Sequence, residues 1–120
     1  MEFKKYIDYF NFIRKNWNVW LAIFTTFHEL RGEKKYTINT TAVNDLKGLA
    51  ITSGDKKSAY IYQPVNYYMI ETALDFLRRE RVAGGLVDYG CGKGRVLAVA
   101  AHYGYEKITG IEFAPELCDE

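Results

Sequence analysis

Three glycines at alternate positions follow an apolar run that ends in an acidic residue. Residues 86–95 read Leu-Val-Asp-Tyr-Gly-Cys-Gly-Lys-Gly-Arg, so that Asp88 precedes glycines at positions 90, 92 and 94. An apolar strand, a glycine-rich turn and a helix, in this order, form the first half of a βαβ unit. The bare backbone of such a turn lets a nucleotide-type cofactor approach closely. We therefore predict a cofactor site at this turn.

A second acidic residue lies 18 positions after the last of these glycines. A second apolar run, Ile108-Thr109-Gly110-Ile111, ends in Glu112. A carboxylate at the end of the second strand of a βαβ unit can accept hydrogen bonds from ribose hydroxyls. Glu112 is therefore the predicted ribose-binding residue.

The glycine spacing excludes two common nucleotide sites. The dinucleotide pattern G-x-G-x-x-G requires glycine at position 95, where the chain has Arg95. The P-loop pattern G-x-x-x-x-G-K-[ST] requires glycine where Val87 stands and Ser or Thr where Gly94 stands. The pattern that remains is D-x-G-x-G-x-G.

This pattern resembles motif I of the class I S-adenosylmethionine-dependent methyltransferases. The longer form D-x-G-C-G-K-G-R, followed by G-[IV]-E, is similar to a bacterial subgroup of that family. The resemblance covers residues 60–118 well and residues 36–59 loosely. It implies an α/β, Rossmann-like fold, S-adenosylmethionine as the cofactor, and methyl transfer as the reaction.

The resemblance also implies which residues bind the cofactor. They lie in the glycine turn, after the second strand and in the segment Tyr62-Gln63-Pro64, and are Asp88, Tyr89, Gly90, Cys91, Gly92, Gly94, Arg95, Glu112, Phe113 and Tyr62. In the family the acid of the turn approaches the amino-acid end of the cofactor, and the distal acid binds its ribose. Phe113 either stacks beside adenine or packs in the core. Tyr62 either closes over the sulfonium, which an aromatic ring attracts, or packs in the core.

The other side chains that could take part in catalysis or metal binding form no recognisable site. Lys93 and Arg95 are either surface cations of a first helical turn or, for Arg95, a partner in a salt bridge that fixes the turn. His28 and His102 are isolated, and Cys91 and Cys118 lack metal-ligand spacing, so we expect free thiols and no metal. The catalytic residues are unknown from the sequence.

The family needs several further strands after motif I, but this chain stops just after the second one. A parallel pair cannot bury both of its faces alone. We expect the chain to be the N-terminal portion of a longer enzyme and to be inactive alone. The methyl acceptor, a protein side chain or a small molecule, is not identified. The alternative is a non-catalytic binding or assembly module that self-associates or lies on a membrane.

Periodicity predicts the remaining elements. Apolar residues spaced by three and four predict one amphipathic helix over residues 3–31, or two helices broken near residues 16–18, ending at Gly32. This helix packs on the domain, on a second subunit, or on a membrane surface.

Further predictions concern the rest of the chain. They are an extended piece at 36–40, a surface loop at 46–58, an extended piece at 60–63, a helix at 65–82 with Tyr68, Ile70, Ala73, Leu74 and Leu77 buried, a strand at 85–89, a helix at 94–103, a strand at 107–112 and a helix beginning at Pro115.

These elements divide the chain into a helical segment (1–32), a connector (33–64) and an incomplete cofactor domain (65–120). The 120 residues are 48% hydrophobic and 26% charged, with a net charge of +1 that gives no nucleic-acid signal. The longest apolar run, Val19–Phe27, is far shorter than the ~20 residues that span a membrane, and no signal peptide precedes it. We expect a cytoplasmic protein that forms a homo-oligomer through the N-terminal helix or the open sheet edge.

Overall fold

The structure is a computed structural model that describes residues 3–41, 44–45 and 61–118. In these ranges the elements are α1 (Phe3–Asn16), α2 (Val19–Tyr36), β1 (Asn44–Asp45), β2 (Ile61–Tyr62), α3 (Tyr67–Arg79), β3 (Leu86–Tyr89), α4 (Arg95–His102), β4 (Ile108–Ile111) and α5 (Pro115–Cys118). The predicted surface loop at 46–58 lies outside the described residues.

The predicted strand–helix–strand unit is present. Strands β3 and β4 pair in parallel, with Leu86 opposite Ile108 and Tyr89 opposite Ile111, and α4 connects them. The bounds of all three elements agree with the predictions to within one residue, and α5 begins at Pro115 as expected. Strands β1 and β2 form a separate antiparallel pair, so part of the predicted extended piece at 60–63 is a strand. The described chain is therefore a mixed α/β structure.

The main core lies where α2, α3 and α4 pack together against the parallel pair. Its buried residues are Tyr36, Tyr67, Ile70, Leu74, Val99 and Ala100, with Leu86 and Ile108 partly buried against them. A smaller cluster of Tyr9, Ile13 and Ala22 joins α1 to α2. The core residues of α4 and of the two parallel strands thus pack the βαβ unit against α2 and α3.

Helix α3 differs from the prediction in which residues it buries and in where it ends. Asn66 caps its start by accepting a hydrogen bond from the N–H of Tyr68 at 3.0 Å. The buried residues are Tyr67, Ile70, Glu71 and Leu74, whereas the predicted Tyr68 and Ala73 are exposed. The helix ends at Arg79 rather than at 82. Arg81 adopts a left-handed φ of 56°, and the N–H of Val82 donates to the carbonyl of Leu77.

The N-terminal segment forms two helices, and the predicted break is found at residues 17–18. The side chain of Asn18 accepts from the N–H of Leu21 at 2.9 Å and so starts α2. The predicted stop at Gly32 is wrong, since α2 continues to Tyr36 and ends at Thr37, which has a left-handed φ of 55°. Residues 36–40 are accordingly not one extended piece.

Gly32 is buried inside α2 because Tyr67 of α3 packs directly on it. A Cβ at position 32 would overlap the ring of Tyr67, and that ring is itself fully buried. The glycine therefore serves close helix packing and does not end the helix.

Two carboxylates on this helical interface are held as ions. Glu33 accepts hydrogen bonds from Lys5 at 2.6 Å, from Tyr6, and from the N–H groups of Thr40 and Thr41. Burial alone would raise the pKa of Glu33, but these hydrogen bonds outweigh it and lower the pKa to about 2. Glu71 accepts from three α2 donors, Arg31, Lys35 and Tyr36, at 2.7–2.8 Å. Burial again opposes these bonds, and the pKa of Glu71 falls to about 2.

We expect stability to fall with acid between about pH 4.5 and pH 2. The folded pKa values of Glu33 and Glu71, about 2, lie below the ordinary 4.5, so their stabilisation is present above pH 4.5 and is lost on protonation. Urea unfolding across this range measures the slope. The variant Glu33→Gln/Glu71→Gln should show a shallower slope than Glu106→Gln, which changes an exposed carboxylate. Equal slopes would contradict the assignment.

We expect Gly32→Ala to destabilise the protein by about 1–2 kcal/mol. Alanine favours an exposed helix by about 1 kcal/mol over glycine, but overpacking a rigid core costs about 1–3 kcal/mol. The new methyl group meets the buried ring of Tyr67, so the cost prevails. Urea unfolding gives the free energy. A stabilised Gly32→Ala variant would show that α2 and α3 do not pack this closely.

Candidate functional site

The glycine turn begins where β3 ends. Gly90, Gly92 and Gly94 have φ values of 75°, 53° and 77°, a left-handed conformation that residues with a side chain rarely adopt. The N–H groups of Gly90 and Cys91 donate to the carbonyl of Ile111 at 2.6 and 3.1 Å, and that of Gly94 donates to the carbonyl of Cys91 at 2.9 Å. The turn is thus tied to the end of β4 and leads directly into α4.

Glu112 points towards the glycine turn. Its Oε2 accepts from the N–H of Gly92 at 2.8 Å, and its Oε1 accepts from the N–H groups of Phe113 and Ala114 at 2.8 and 2.9 Å. The two motifs that are 20 residues apart in the chain are therefore in direct contact. The carboxylate is half-buried and fixed in one orientation.

A cavity of about 330 Å³ lies at the carboxyl ends of β3 and β4, the edge at which open parallel sheets bind ligands. Its volume is within the range of small-molecule sites. The lining residues are Gln63, Pro64, Val65, Asp88, Gly90, Cys91, Arg95, Val96, Glu112, Phe113 and Leu117.

Six of the ten predicted cofactor residues line this cavity: Asp88, Gly90, Cys91, Arg95, Glu112 and Phe113. Gly92 and Gly94 belong to the turn without lining the cavity, and the side chain of Tyr89 is 79% exposed to solvent. The backbone of Tyr62 ends β2, one residue before the cavity wall at Gln63. The placement of the Tyr62 side chain lies outside the described part of the chain. The roles of these residues towards a cofactor stay predictions.

The cavity carries negative charge. Burial raises the pKa of Asp88, and the nearby charge of Glu112 raises it further. Among the described residues no group donates a hydrogen bond to the Asp88 carboxylate. Burial, followed by the charges of Asp88 and Glu112, also raises the pKa of the Cys91 thiol, so this thiol remains protonated and is not an activated nucleophile.

Arg95 lies at the edge of the cavity, but all of its donors are used within the protein. Nε donates to Thr40 at 2.7 Å, Nη1 donates to Glu29 and to the carbonyl of Val65 at 2.9 Å each, and Nη2 donates to Thr41 at 3.2 Å and pairs with Glu29 at 2.7 Å. Arg95 is 2% exposed and Glu29 is fully buried. The surface-cation alternative is therefore wrong, and the salt-bridge alternative is confirmed.

The sequence reasoning missed the partners of Arg95, namely Glu29, Thr40 and Thr41. Glu29 also accepts from Asn66 at 2.9 Å and from Thr41 at 2.7 Å, so both of its oxygens are satisfied. One signal was present in the sequence. Glu29 and Glu33 are four residues apart, on a helix face that otherwise carries small or polar residues such as Thr25 and Gly32.

Two other cavities adjoin the fold. One of about 290 Å³ lies between the N-terminal helices and the segment 63–66, with Tyr9, Ile13, Trp17, Leu21 and Thr25 on the helical side. Gln63, Pro64 and Val65 line both this cavity and the one at the glycine turn. The other, of about 560 Å³, lies at the opposite ends of the strands, near Gly85 and Lys107. It contains none of the predicted cofactor residues and lies away from the carboxyl edge.

The two histidines lie apart from the site. The ring of His28 is half-buried among Phe24, Phe27 and Tyr68, and His102 is exposed beside Tyr36. Cys91 and Cys118 are free. Within residues 3–41, 44–45 and 61–118, no three His, Cys, Asp or Glu side chains converge as metal ligands. None of the helices in these same ranges has the length and apolar character needed to cross a membrane.

Comparison with protein-family models, with curated proteins and with solved structures finds no significant match to the chain in any of the three. The function must therefore be inferred from the geometry of the site and from the motif.

We expect Glu29→Gln to cost about 3–5 kcal/mol of stability, because it leaves the buried charge of Arg95 without its counter-ion. The double variant Glu29→Met/Arg95→Met removes both charges and should recover much of this loss. Urea unfolding of the single and double variants measures the coupling. Arg79→Ala, which removes an exposed arginine, should change stability by less than about 0.5 kcal/mol. A Glu29→Gln variant as stable as the parent would rule out the buried pair.

Proposed function

We propose that this chain is the S-adenosylmethionine-binding part of a class I, Rossmann-like methyltransferase. The observation that carries the proposal is the contact between Glu112 and the N–H of Gly92, at the mouth of an acidic cavity on the carboxyl edge of a parallel strand pair. The motif D-x-G-x-G-x-G and the distal acid of the family both fall at this contact.

Charge favours this cofactor over a dinucleotide. S-adenosylmethionine carries a sulfonium and an ammonium cation but only one carboxylate, so it is a net cation. A cavity lined by Asp88 and Glu112 attracts such a ligand and repels a pyrophosphate. Among the described residues, Arg95 is the only arginine or lysine that lines the cavity, and its guanidinium already makes four hydrogen bonds and an ion pair with Glu29 within the protein.

Each residue of the site has a proposed task. Asp88, which has no donor among the described residues, takes the ammonium group at the amino-acid end of the cofactor. Glu112 has its orientation set by three backbone N–H groups and accepts from a ribose hydroxyl with the one lone pair that remains on Oε2. Phe113 contacts the adenine, and Tyr62, near the wall at Gln63, covers the sulfonium.

The chemistry proposed is methyl transfer to a nucleophile on a protein side chain or a small molecule. When bound, S-adenosylmethionine supplies an electrophilic methyl group on a positive sulfur. The chain's own residues bind the cofactor, orient it and reduce its contact with water, which are the main contributions a protein makes to such a transfer. The described residues that we assign all lie on the cofactor side, so the proposal names no catalytic base. Free thiols at Cys91 and Cys118 support a proposed cytoplasmic location.

Isothermal titration calorimetry with S-adenosylmethionine tests the proposal. We expect saturable binding, and we expect Asp88→Asn to weaken it about tenfold or more, because a charge-assisted hydrogen bond contributes about 1.5–3 kcal/mol. Glu106→Gln removes an exposed carboxylate outside this cavity and should bind as the parent does. NADH, which carries a pyrophosphate, should not bind.

Circular dichroism first establishes that each protein is folded. A folded chain that binds no S-adenosylmethionine would contradict the proposal and would favour the alternative of a non-catalytic assembly module. Equal affinity in the parent and in Asp88→Asn would contradict the role given to Asp88.

A further inference from the structure

Helix α2 exposes its most apolar side. Five large apolar residues spaced by one or three positions form an outer stripe, called here the aromatic face: Trp20, Ile23, Phe24, Phe27 and Leu30. Trp20 is 78% exposed and Phe27 is 60% exposed. The ring of Phe24 lies 5.1 Å from that of Tyr68, and Met69 beside it is 59% exposed, so the apolar surface continues onto α3.

The inner side of α2 is the polar one. The residues it buries are small or polar with one exception, and are Ala22, Thr25, Glu29, Gly32, Glu33 and Tyr36. An amphipathic helix normally packs its apolar stripe inwards, because each Å² of apolar surface removed from water contributes about 25 cal/mol. Here the buried carboxylates are committed to Arg95, Lys5 and Tyr6, so the helix cannot turn over without breaking these bonds. The aromatic face is thus held outwards and lacks a cover in the described chain.

Charge indicates what covers it. Residues 3–36 contain seven lysines and arginines but only three carboxylates, which gives this helical pair a charge of +4 and the rest of the chain −3. Glu29 and Glu33 are buried, so Asp8 is the only exposed acid of α1 and α2. The exposed cations that have no carboxylate partner within these helices include Lys4, Arg14, Lys15 and Lys34.

We propose that the aromatic face binds the surface of a membrane containing anionic lipids. Helices that lie in the plane of a membrane interface combine tryptophan, phenylalanine and aliphatic side chains with cations. The aromatic face of α2 supplies the first, and exposed cations of the same helical pair, with Asp8 as its one exposed acid, supply the second. The helix rests on the surface and does not span it, in keeping with the absence of a spanning helix among the described residues.

A second copy of this chain fits the face less well. Pairing two aromatic faces would bring two helical pairs of charge +4 together, and such like-charge contact opposes association. Anionic headgroups instead neutralise the same cations. This inference does not depend on the proposed cofactor, because no residue of the aromatic face lines the cavity at the glycine turn.

Vesicle co-sedimentation and intrinsic fluorescence test the proposal. The chain has two tryptophans, Trp17 and Trp20, and both are exposed. Trp20 belongs to the aromatic face, so the tryptophan emission responds when that face is buried. We expect binding and a blue-shifted emission with vesicles of phosphatidylcholine and phosphatidylserine, but little of either with phosphatidylcholine alone. Salt at about 1 M, where the screening length is about 3 Å, should weaken the binding.

Variants separate the apolar part from the charged part. Trp20→Ser/Phe27→Ser alters only exposed side chains and should weaken vesicle binding about tenfold or more, since both substitutions remove apolar surface that the membrane interface would bury. Arg14→Gln and Lys15→Gln should each weaken it about fivefold. Val82→Ser, which changes an apolar residue that is 54% exposed outside the helical pair, should bind as the parent does.

Three results would overturn the proposal. The first is no binding to vesicles that contain phosphatidylserine, and the second is equal binding to both kinds of vesicle. The third is a dimer in analytical ultracentrifugation that Trp20→Ser/Phe27→Ser dissociates, together with no vesicle binding, which would assign the face to a second copy. Calorimetry with S-adenosylmethionine on the same samples keeps this outcome separate from that of the proposed function.

Discussion

The buried ion pair between Arg95 and Glu29 connects the N-terminal helices to the glycine turn. Arg95 is the first residue of α4 and directly follows Gly94, and Glu29 lies near the middle of α2. Two charges removed from water cost several kcal/mol each unless their hydrogen-bonding groups are satisfied. Here the guanidinium makes four hydrogen bonds and an ion pair, and each oxygen of the carboxylate accepts from at least one donor. The pair therefore holds the start of α4, and with it the glycine turn, in position beside the cavity.

Two further carboxylates complete a polar interface between the helices. Glu33 binds the N–H groups of Thr40 and Thr41, the same two residues whose hydroxyls bind Arg95. Glu71 of α3 draws together Arg31, Lys35 and Tyr36 of α2. Such bonds add little net stability compared with apolar packing, but they require particular geometry. They explain why α2 presents its polar side to the domain and its aromatic face to the outside.

The elements from residue 86 to residue 118 could be predicted from the sequence because their signals are local. The turn requires glycine at left-handed positions, the strands are short apolar runs, and Pro115 suits a helix start. The contact of Glu112 with the turn follows from the parallel pairing of two strands joined by one helix. These are the features in which local propensity and tertiary structure agree.

The rest depends on partners that are distant in the chain. Arg95 and Glu29 are 66 residues apart, so no local pattern distinguishes a surface cation from a buried one. Periodicity identified an apolar stripe on α2 but not which side of the helix faces the core. Gly32, which was predicted to end a helix, serves close packing against Tyr67, while Arg81, for which nothing was predicted, adopts a left-handed conformation after the end of α3.

The segment Gln63–Val65 is a partition with a cavity on each side. This segment is three residues long, and the carbonyl of Val65 accepts a hydrogen bond from Arg95. A molecule that displaced this segment from the cavity beside Tyr9 and Trp17 would narrow the cavity beside Asp88. A molecule that displaced it from the Asp88 side would narrow the cavity beside Tyr9 and Trp17. Any change in affinity that a ligand of one cavity caused at the other through this segment would be reciprocal.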